Sequence, residues 1–254
     1  MKRRRLDQEL VERGQARSRT EAQRFITAGQ VRVEGVLSPR PATLVGTSTP
    51  IVLGSRGPRF VSRGGEKLDH ALGVLGLDPE GKRCLDAGAS TGGFTDVLLQ
   101  REAGSVTALD VGYGQLHPRL ARDSRVEVRD RTNLRYVNSS DLGLFEMLVV
   151  DLSFISLCTV AARLCELAEE GADCLTLVKP QFEAGRRLVG KKGVVKDPMV
   201  HSQVIKKVGS CLQKAGLGPR RVVESPLLGA KSGNREFFIW SVRGAEHAEG
   251  WEER

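Results

Sequence analysis

Arg83-Cys-Leu-Asp-Ala-Gly-Ala-Ser-Thr-Gly-Gly-Phe-Thr95 is the stretch that decides the fold. Arg83 to Ala87 reads as a buried strand, Gly88, Gly92 and Gly93 make a glycine-rich turn, and a helix starts near Phe94. Glycines let the backbone turn sharply and approach a ligand closely. The helix start leaves unpaired N–H groups facing that ligand. Ser105 to Leu109 reads as a second strand and ends in Asp110, 22 residues after Gly88. An acid in that place ordinarily takes the hydroxyls of a ribose. The stretch thus implies a nucleoside-cofactor site on a doubly wound α/β sheet. A dinucleotide site wants Gly-x-Gly-x-x-Gly; here the order is Gly-x-x-x-Gly-Gly, with Asp86 just before the turn. A carboxylate there would repel a pyrophosphate. It would suit a cofactor with a positive charge and an amino group, and S-adenosylmethionine has both. The plainer alternative is a glycine-rich turn in an ordinary α/β fold.

Strand and helix patterns alternate around this stretch, the mark of a parallel sheet with helices on both faces. Strands are expected near 83–87, 105–109, 126–129, 146–150, 173–178, 220–225 and 235–242, and helices near 94–101, 115–122, 156–169 and 198–215. A helix from about Glu66 to Leu75 precedes them, and 244–254 reads as a polar, frayed tail.

Upstream lies a different unit. Leu6, Leu10 and Val11 share one side of a short helix over 6–13 that Gly14 ends. Ser18-Arg-Thr-Glu21 is a capping box for a helix from Arg19 to about Ala28. Val31–Val36 reads as two short strands about a Glu34-Gly35 turn, and Ile51–Leu53 as a third. The expected plan is a small α+β domain at 1–57, a linker at 58–65, and a larger domain at 66–243.

Charge separates the two. Of 39 basic and 31 acidic residues, 13 and 6 fall within 1–66, a net of +7; the other 26 and 25 leave +1. A positive field confined to one quarter suggests a nucleic-acid surface. A merely solvated charged face fits less well, since these arginines come without matching acids in the sequence. The five cysteines are odd in number, mostly in apolar runs and never spaced Cys-x-x-Cys. That predicts reduced thiols rather than disulfides or zinc. The four histidines are scattered, so no metal site is expected. No apolar run is long enough to span a bilayer, and no apolar segment follows the basic N-terminus as a signal peptide would require. A cytoplasmic location is expected.

Four charged residues stand where elements should meet the cofactor crevice. Lys67 lies in the first helix of the larger domain, Asp151 and Lys179 end the fourth and fifth strands, and Glu236 begins the last. Carboxyl ends of parallel strands line the ligand crevice of an open α/β sheet. Glu236 reaches that edge only if the last strand is antiparallel. Methylating a ribose 2′-hydroxyl requires removing a weakly acidic proton. A lysine can take it only when uncharged, a form that burial or a second lysine favours and a carboxylate opposes. Taken singly, each of the four fits a plain surface or ion-pair residue.

The N-terminal unit resembles the RNA-binding module shared by a small-subunit ribosomal protein, pseudouridine synthases and tyrosyl-tRNA synthetases. The resemblance rests on Arg5-Leu-Asp-x-x-Leu10, Ala16-Arg-Ser-Arg-Thr-Glu-Ala22 and Ile26-x-x-Gly29-x-Val31-x-Val33-x-Gly35. It implies phosphate contacts from Arg3, Arg4, Arg5, Arg13, Arg17, Arg19 and Arg24, to which Arg63, Lys191 and Lys192 are added from the larger domain. Such contacts position RNA without reading its sequence.

Nearly the whole chain resembles the TlyA family of ribosomal-RNA 2′-O-methyltransferases, older members of which carry the label hemolysin. The motifs are Val61-Ser-Arg-Gly-Gly-x-Lys67-Leu, Cys84–Thr95, Asp110-Val-Gly-Tyr-Gly-Gln115, Arg131-Thr-Asn133, Asp151-Leu-Ser-Phe-Ile-Ser156, Val178-Lys-Pro-Gln-Phe-Glu183 and Gly233-Asn-x-Glu-Phe237. The larger domain is similar to FtsJ-like methyltransferases, whose Lys-Asp-Lys-Glu tetrad falls on Lys67, Asp151, Lys179 and Glu236. The resemblance implies a Rossmann-like class I methyltransferase sheet, mostly parallel with the last strand antiparallel. It also implies cytidine 2′-O-methylation in small- and large-subunit rRNA, with Lys179 as base. S-adenosylmethionine would be held by Asp86, Gly88, Ser90, Thr91, Gly92, Gly93, Phe94, Asp110, Val111 and Asp151, with Asp130, Thr132 and Asn133 near the adenine. Asp130 is a departure, since the family pattern suggests Glu there.

The segment Phe182–Asp197, glycine-rich with five basic residues, is expected to be a mobile lid that orders on RNA; a plain flexible loop is the alternative. Ribosomal RNA or a ribosomal subunit is the expected partner, no membrane is, and the chain is expected to be a monomer or weak dimer. Two other functions compete: a non-catalytic ribosome-assembly factor, which would have no need of the tetrad, and a membrane-lytic protein, which would need an apolar or strongly amphipathic segment.

Overall fold

The computed structural model describes residues 3–27, 29–37, 40–54, 59–185, 188–190, 193–229 and 233–253. The chain divides into two compact units, Met1–Arg59 and Phe60–Arg254.

The first unit holds β1 (Arg3–Arg5), α1 (Leu6–Glu12), α2 (Arg19–Thr27), β2 (Val31–Val33), β3 (Val36–Leu37), β4 (Leu44–Gly46) and β5 (Ile51–Leu53). Its core is Leu6 and Leu10 of α1, Ala22 and Ile26 of α2, and Val31, Val45 and Ile51 from the strands. The Ser18 hydroxyl accepts the Glu21 N–H, as a capping box requires, but Glu21 reaches back to the Arg17 N–H, one residue before the cap. β1 and β4 pair antiparallel, Arg4 facing Val45. Three consecutive arginines carry no alternation, so β1 is invisible to periodicity.

The second unit opens with α3 (Arg63–Leu75), capped by the Ser62 hydroxyl on the Gly64 N–H. The helix starts three residues before the expected Glu66, because Ser62 is the N-cap. Phe60 is buried, and a side chain on Gly65 would lie 2.4 Å from its ring. The Val61 N–H is held at 2.8 Å by Asp96. Phe60 and Val61, expected in a linker, are therefore packed into this unit.

Then follow β6 (Arg83–Ala87), α4 (Gly93–Gln100), β7 (Ser105–Leu109), α5 (Pro118–Ala121), β8 (Val126–Arg129), a 3₁₀ turn (Leu134–Tyr136), α6 (Ser139–Leu142), β9 (Phe145–Val150), α7 (Leu157–Leu167), β10 (Ala168–Val178), α8 (Pro180–Glu183), α9 (Pro198–Lys214), β11 (Leu217–Glu224) and β12 (Phe237–Arg243). The seven strands lie in the order β11-β12-β10-β9-β6-β7-β8. β8, β7, β6, β9 and β10 are parallel, and β12 runs antiparallel to both β10 and β11. Reversal of β12 brings its start, beside Glu236, to the edge where β9 and β10 end.

Successive strand residues face opposite sides of a sheet. Leu148 and Val150 of β9 join a core with Val160 and Leu164 of α7 and Ile205 and Val208 of α9. Met147 and Val149 join the opposite core with Leu68 and Leu72 of α3 and Val97 and Leu98 of α4. The expected frayed tail is fastened: the Ala248 N–H reaches the Pro219 carbonyl at 2.8 Å, and Trp251 packs over Gly209 of α9.

The cysteines depart from expectation. Cys158 and Cys211 form a disulfide joining α7 to α9, while Cys84, Cys165 and Cys174 are free and buried. Residues 53 apart in sequence share no local signal, so only the packing of the two helices could pair them. Closing a loop of that length constrains the unfolded chain by up to about 4 kcal/mol. Cys158→Ser should lower stability by up to that amount in denaturant melts. A wild-type melt that reductant does not move would refute the bridge's role.

Candidate active site

Two cavities meet where the strands end. The larger, about 750 Å³, is walled by Leu109 at the end of β7, Asp110, Val111 and Gln115 after it, Thr132–Arg135, Leu152–Ile155 and Val160. The smaller, about 380 Å³, is walled by Ser62–Gly64, Lys67, Ala89, Thr91, Gly93, Phe94 and Leu228. Gly88, Ser90 and Asp151 line both.

Gly88 carries the turn out of β6. Its φ is +90°, and a side chain there would come within 2.4 Å of the Asp151 carbonyl, so only glycine lets the ends of β6 and β9 close together. Asp110 is fixed by two backbone donors: the Ser90 N–H at 2.9 Å on one oxygen and the Gly112 N–H at 2.7 Å on the other. A carboxylate offers about four acceptor positions, which leaves two for a diol. Apolar Leu109, Val111, Leu134, Ile155 and Val160 supply walls for a flat ring. A cavity within the usual range for small ligands (about 300–1,000 Å³), with an acid facing apolar walls and a second acid, Asp151, at the junction, fits S-adenosylmethionine.

Asp86 does not take the expected part. It shares a face of β6 with Cys84, two residues before it, and that face is covered by α4. Its carboxylate is fully buried and accepts the Thr95 N–H at 2.8 Å and the Thr95 hydroxyl at 2.6 Å. It fastens the turn from beneath and lines neither cavity. Burial pushes its carboxyl up to about 7, against which the Thr95 bonds pull; Asp151 and Asp110 push the same way as burial. The folded state therefore keeps a proton that the unfolded chain releases near pH 4, and stability falls as pH rises from about 4 to 7. Asp86→Asn removes this titration. Its stability relative to wild type should rise across that window by at most about 4 kcal/mol, measured by thermal melts. A difference that stays flat with pH would contradict the assignment.

Gly92 and Asp130 also line neither cavity. Gly92, with φ +94°, lies against Leu116 and Leu120, and Asp130 accepts the Gly114 N–H at 2.8 Å. Gly88, Ser90, Asp110, Val111, Thr132, Asn133 and Asp151 face the larger space; Thr91, Gly93 and Phe94 face the smaller one. Gln115 and Ser153 also line the larger space. Their places inside the Asp110–Gln115 and Asp151–Ser156 motifs were the only sequence signal for them.

The four charged residues form two pairs. Lys179 Nζ lies 2.5 Å from Asp151 Oδ1 and donates to the Ser153 hydroxyl at 2.9 Å. Lys67 Nζ lies 2.5 Å from Glu236 Oε2, both largely buried. Each lysine is thus oriented by a carboxylate. Gly229 admits this second pair, since a side chain there would sit 2.7 Å from Glu236 Oε1.

Next to this site stands Phe154, 87% exposed, with its ring 5.0 Å from that of Phe182. Its φ is +65°, a left-handed conformation that costs a non-glycine residue about 1–2 kcal/mol. The expected lid is rooted rather than free at its downstream end. The Val195 N–H and the Gly193 carbonyl are both bonded to buried Asn234 at 2.8 Å, and the Val195 carbonyl meets His201 at 2.9 Å. Lys191 and Lys192 lie outside the described residues.

A model of the FtsJ-like methyltransferases matches residues 60–243, and one of the S4 domain matches residues 4–49. The 16S/23S rRNA (cytidine-2′-O)-methyltransferase TlyA of Mycobacterium tuberculosis is 47% identical over 94% of this chain and 90% of its own. The chain belongs to the TlyA family. Hemolysin A of Brachyspira hyodysenteriae, 37% identical over 92% of this chain and 98% of its own, is another relative. A solved, hemolysin-labelled structure from Streptococcus thermophilus matches with TM-score 0.74 at 36% identity, over 97% of this chain and 90% of that one. This TlyA-family member is thus an α/β methyltransferase with an S4 domain at its N-terminus.

The S4 unit's arginines meet acids after all, brought together by folding. Arg5 and Arg19 pair with buried Asp7, Arg4 with Glu12 and Arg13 with Glu9. Hydrogen bonds from Arg5, Gln23 and Arg19 hold the Asp7 carboxyl well below the usual carboxylate range. Arg13 also donates to the carbonyls of Gly46, Thr47 and Thr49, so it staples the β4–β5 turn to α1 and is spent within the fold. Arg3, Arg17 and Arg24 are exposed, with no ion pair among the described residues. Arg63 is exposed on the other unit, at the smaller cavity, and donates to the Leu228 carbonyl.

Proposed function

We propose that this chain transfers a methyl group from S-adenosylmethionine to the ribose 2′-hydroxyl of cytidine in small- and large-subunit rRNA. The observation that carries the proposal is the pair of lysine–carboxylate contacts beside the cavities: Lys179–Asp151, whose aspartate lines both, and Lys67–Glu236, whose lysine lines the smaller. The names of close relatives and the S4 domain support ribosomal RNA as the acceptor.

Asp110 would hold the cofactor's ribose diol, and the walls around Thr132 and Asn133 its adenine. When bound, the cofactor supplies an electrophilic methyl on a sulfonium. Lys179 takes the hydroxyl proton at Nζ. Asp151 then stabilises the ammonium that forms, a charge that develops in the transition state and is met by a preplaced opposite charge. Ser153 fixes the direction of Nζ. Lys67, oriented by Glu236, faces the smaller cavity and would hold the acceptor ribose. The exposed arginines of the S4 unit would grip phosphates.

The reading places the enzyme in the cytoplasm. Among the described residues no helix is long and apolar enough to cross a membrane. The test is methyl transfer from labelled S-adenosylmethionine to naked rRNA and to assembled subunits, with mapping of the ribose mark. No label in either substrate would sink the proposal.

A further inference from the structure

Asp151 and Lys179 follow neighbouring parallel strands, whose pairing with each other ends at Val150 and Thr176, while β10 stays paired with β12 as far as Val178. Both side chains thus spring from backbone beyond that shared ladder, and on its far side the Asp151 N–H still reaches the Ala87 carbonyl at 2.9 Å. A side-chain contact ties the two segments together beyond it. Glu183 ends α8, the short turn that Lys179 begins, and its carboxylate is buried. One oxygen accepts the Leu157 N–H at 2.6 Å, and the other accepts the Ser156 hydroxyl at 2.6 Å. Ser156 and Leu157 close the segment that Asp151 begins and open α7. The negative end of Glu183 meets the first turn of that helix, where orphan N–H groups and the helix dipole favour an anion. At the rear, the Glu183 carbonyl accepts Lys207 of α9 at 2.9 Å, which anchors the turn to the body of the domain. Phe154 against Phe182 adds an apolar contact between the same two segments.

We propose that Glu183 is a positioning residue for methyl transfer. It locks the Asp151–Ser156 segment to the Lys179–Glu183 segment and thereby sets the contacts of Lys179 with Asp151 and Ser153. The inference rests on the reading of Lys179 as the base. Glu183 touches no reacting atom; a misplacement of about 1 Å away from the chemistry is enough to cost about 100-fold in rate.

The test uses the full chain with rRNA and labelled S-adenosylmethionine, with kcat counted per cofactor-binding site so that unfolded protein drops out. Glu183→Ala should lower kcat by about 10- to 100-fold, with KM for RNA unchanged. Glu183→Gln should restore most of that loss, because its amide oxygen can accept the Leu157 N–H while its NH₂ donates to Ser156. A merely structural role would lower the melting temperature of Glu183→Ala and leave kcat per site within about twofold of wild type; that result overturns the proposal, as does a Gln variant no better than Ala. Should Glu183→Ala fail to fold, Ser156→Ala cuts one of the two links, and an unchanged kcat there is equally decisive. Lys179→Ala run alongside separates the two readings. Normal turnover in it removes the base and this inference with it, whereas an inactive Lys179→Ala beside a fully active Glu183→Ala removes this inference alone.

Discussion

Lys179→Ala is expected to abolish methyl transfer while leaving S-adenosylmethionine binding nearly intact. General-base catalysis is worth about 10²- to 10⁴-fold, so the residual rate should sit near the limit of a labelled-methyl assay. Cofactor affinity should hardly change, since Lys179 lines neither cavity. It touches Asp151 and Ser153, which do line the larger one. Loss of the ammonium leaves the largely enclosed Asp151 without its partner, so a shift of a few-fold in cofactor affinity is the most the geometry allows for. Calorimetry of cofactor binding beside single-turnover transfer separates the two quantities. Normal turnover would sink the base assignment; turnover lost together with cofactor binding would make Lys179 a binding residue instead.

Deleting residues 1–59 is expected to remove most RNA affinity and to leave cofactor binding untouched. The cut must fall before Phe60, whose buried ring packs against Gly65 in the methyltransferase unit. Every arginine–phosphate pairing removed should flatten the salt dependence of log affinity by about 0.7 to 0.9. Arg3, Arg17 and Arg24 are the exposed cations best placed to make such pairings. Removing several should cost about 100-fold or more at moderate salt. Filter binding across a salt series reads both numbers. RNA affinity and salt slope equal to those of the full chain would refute the division of labour between the units.

The parallel strands and the glycine turn were legible because their signals are local. Short strand-forming runs bounded by glycine or acid mark strands whichever neighbours they take. The four-residue α8 was not legible, since Lys-Pro-Gln-Phe-Glu carries no period long enough to read. The tetrad positions were legible from their places at strand ends and, for Lys67, in the first helix of the larger domain, but their pairing was not. That Lys67 meets Glu236 depends on the packing of α3 and on the reversal of β12. The S4 arginines read as unneutralised for a similar reason. Asp7 and Arg19 lie 12 residues apart and meet only because α1 packs against α2.

At the glycine turn the division is sharpest. The sequence by itself determined that Gly88 must be a glycine and that Asp110 must follow the next strand, because sharp turns and strand lengths are short-range matters. It also placed Asp86 on β6. Only the tertiary structure decided which way that carboxylate points. Alternation of β6 sets it on the face shared with Cys84, and the packing of α4 on that face buries it against Thr95. The acids that line the larger cavity are Asp110 and Asp151, one fixed by two backbone N–H groups and the other by a lysine that follows the neighbouring strand.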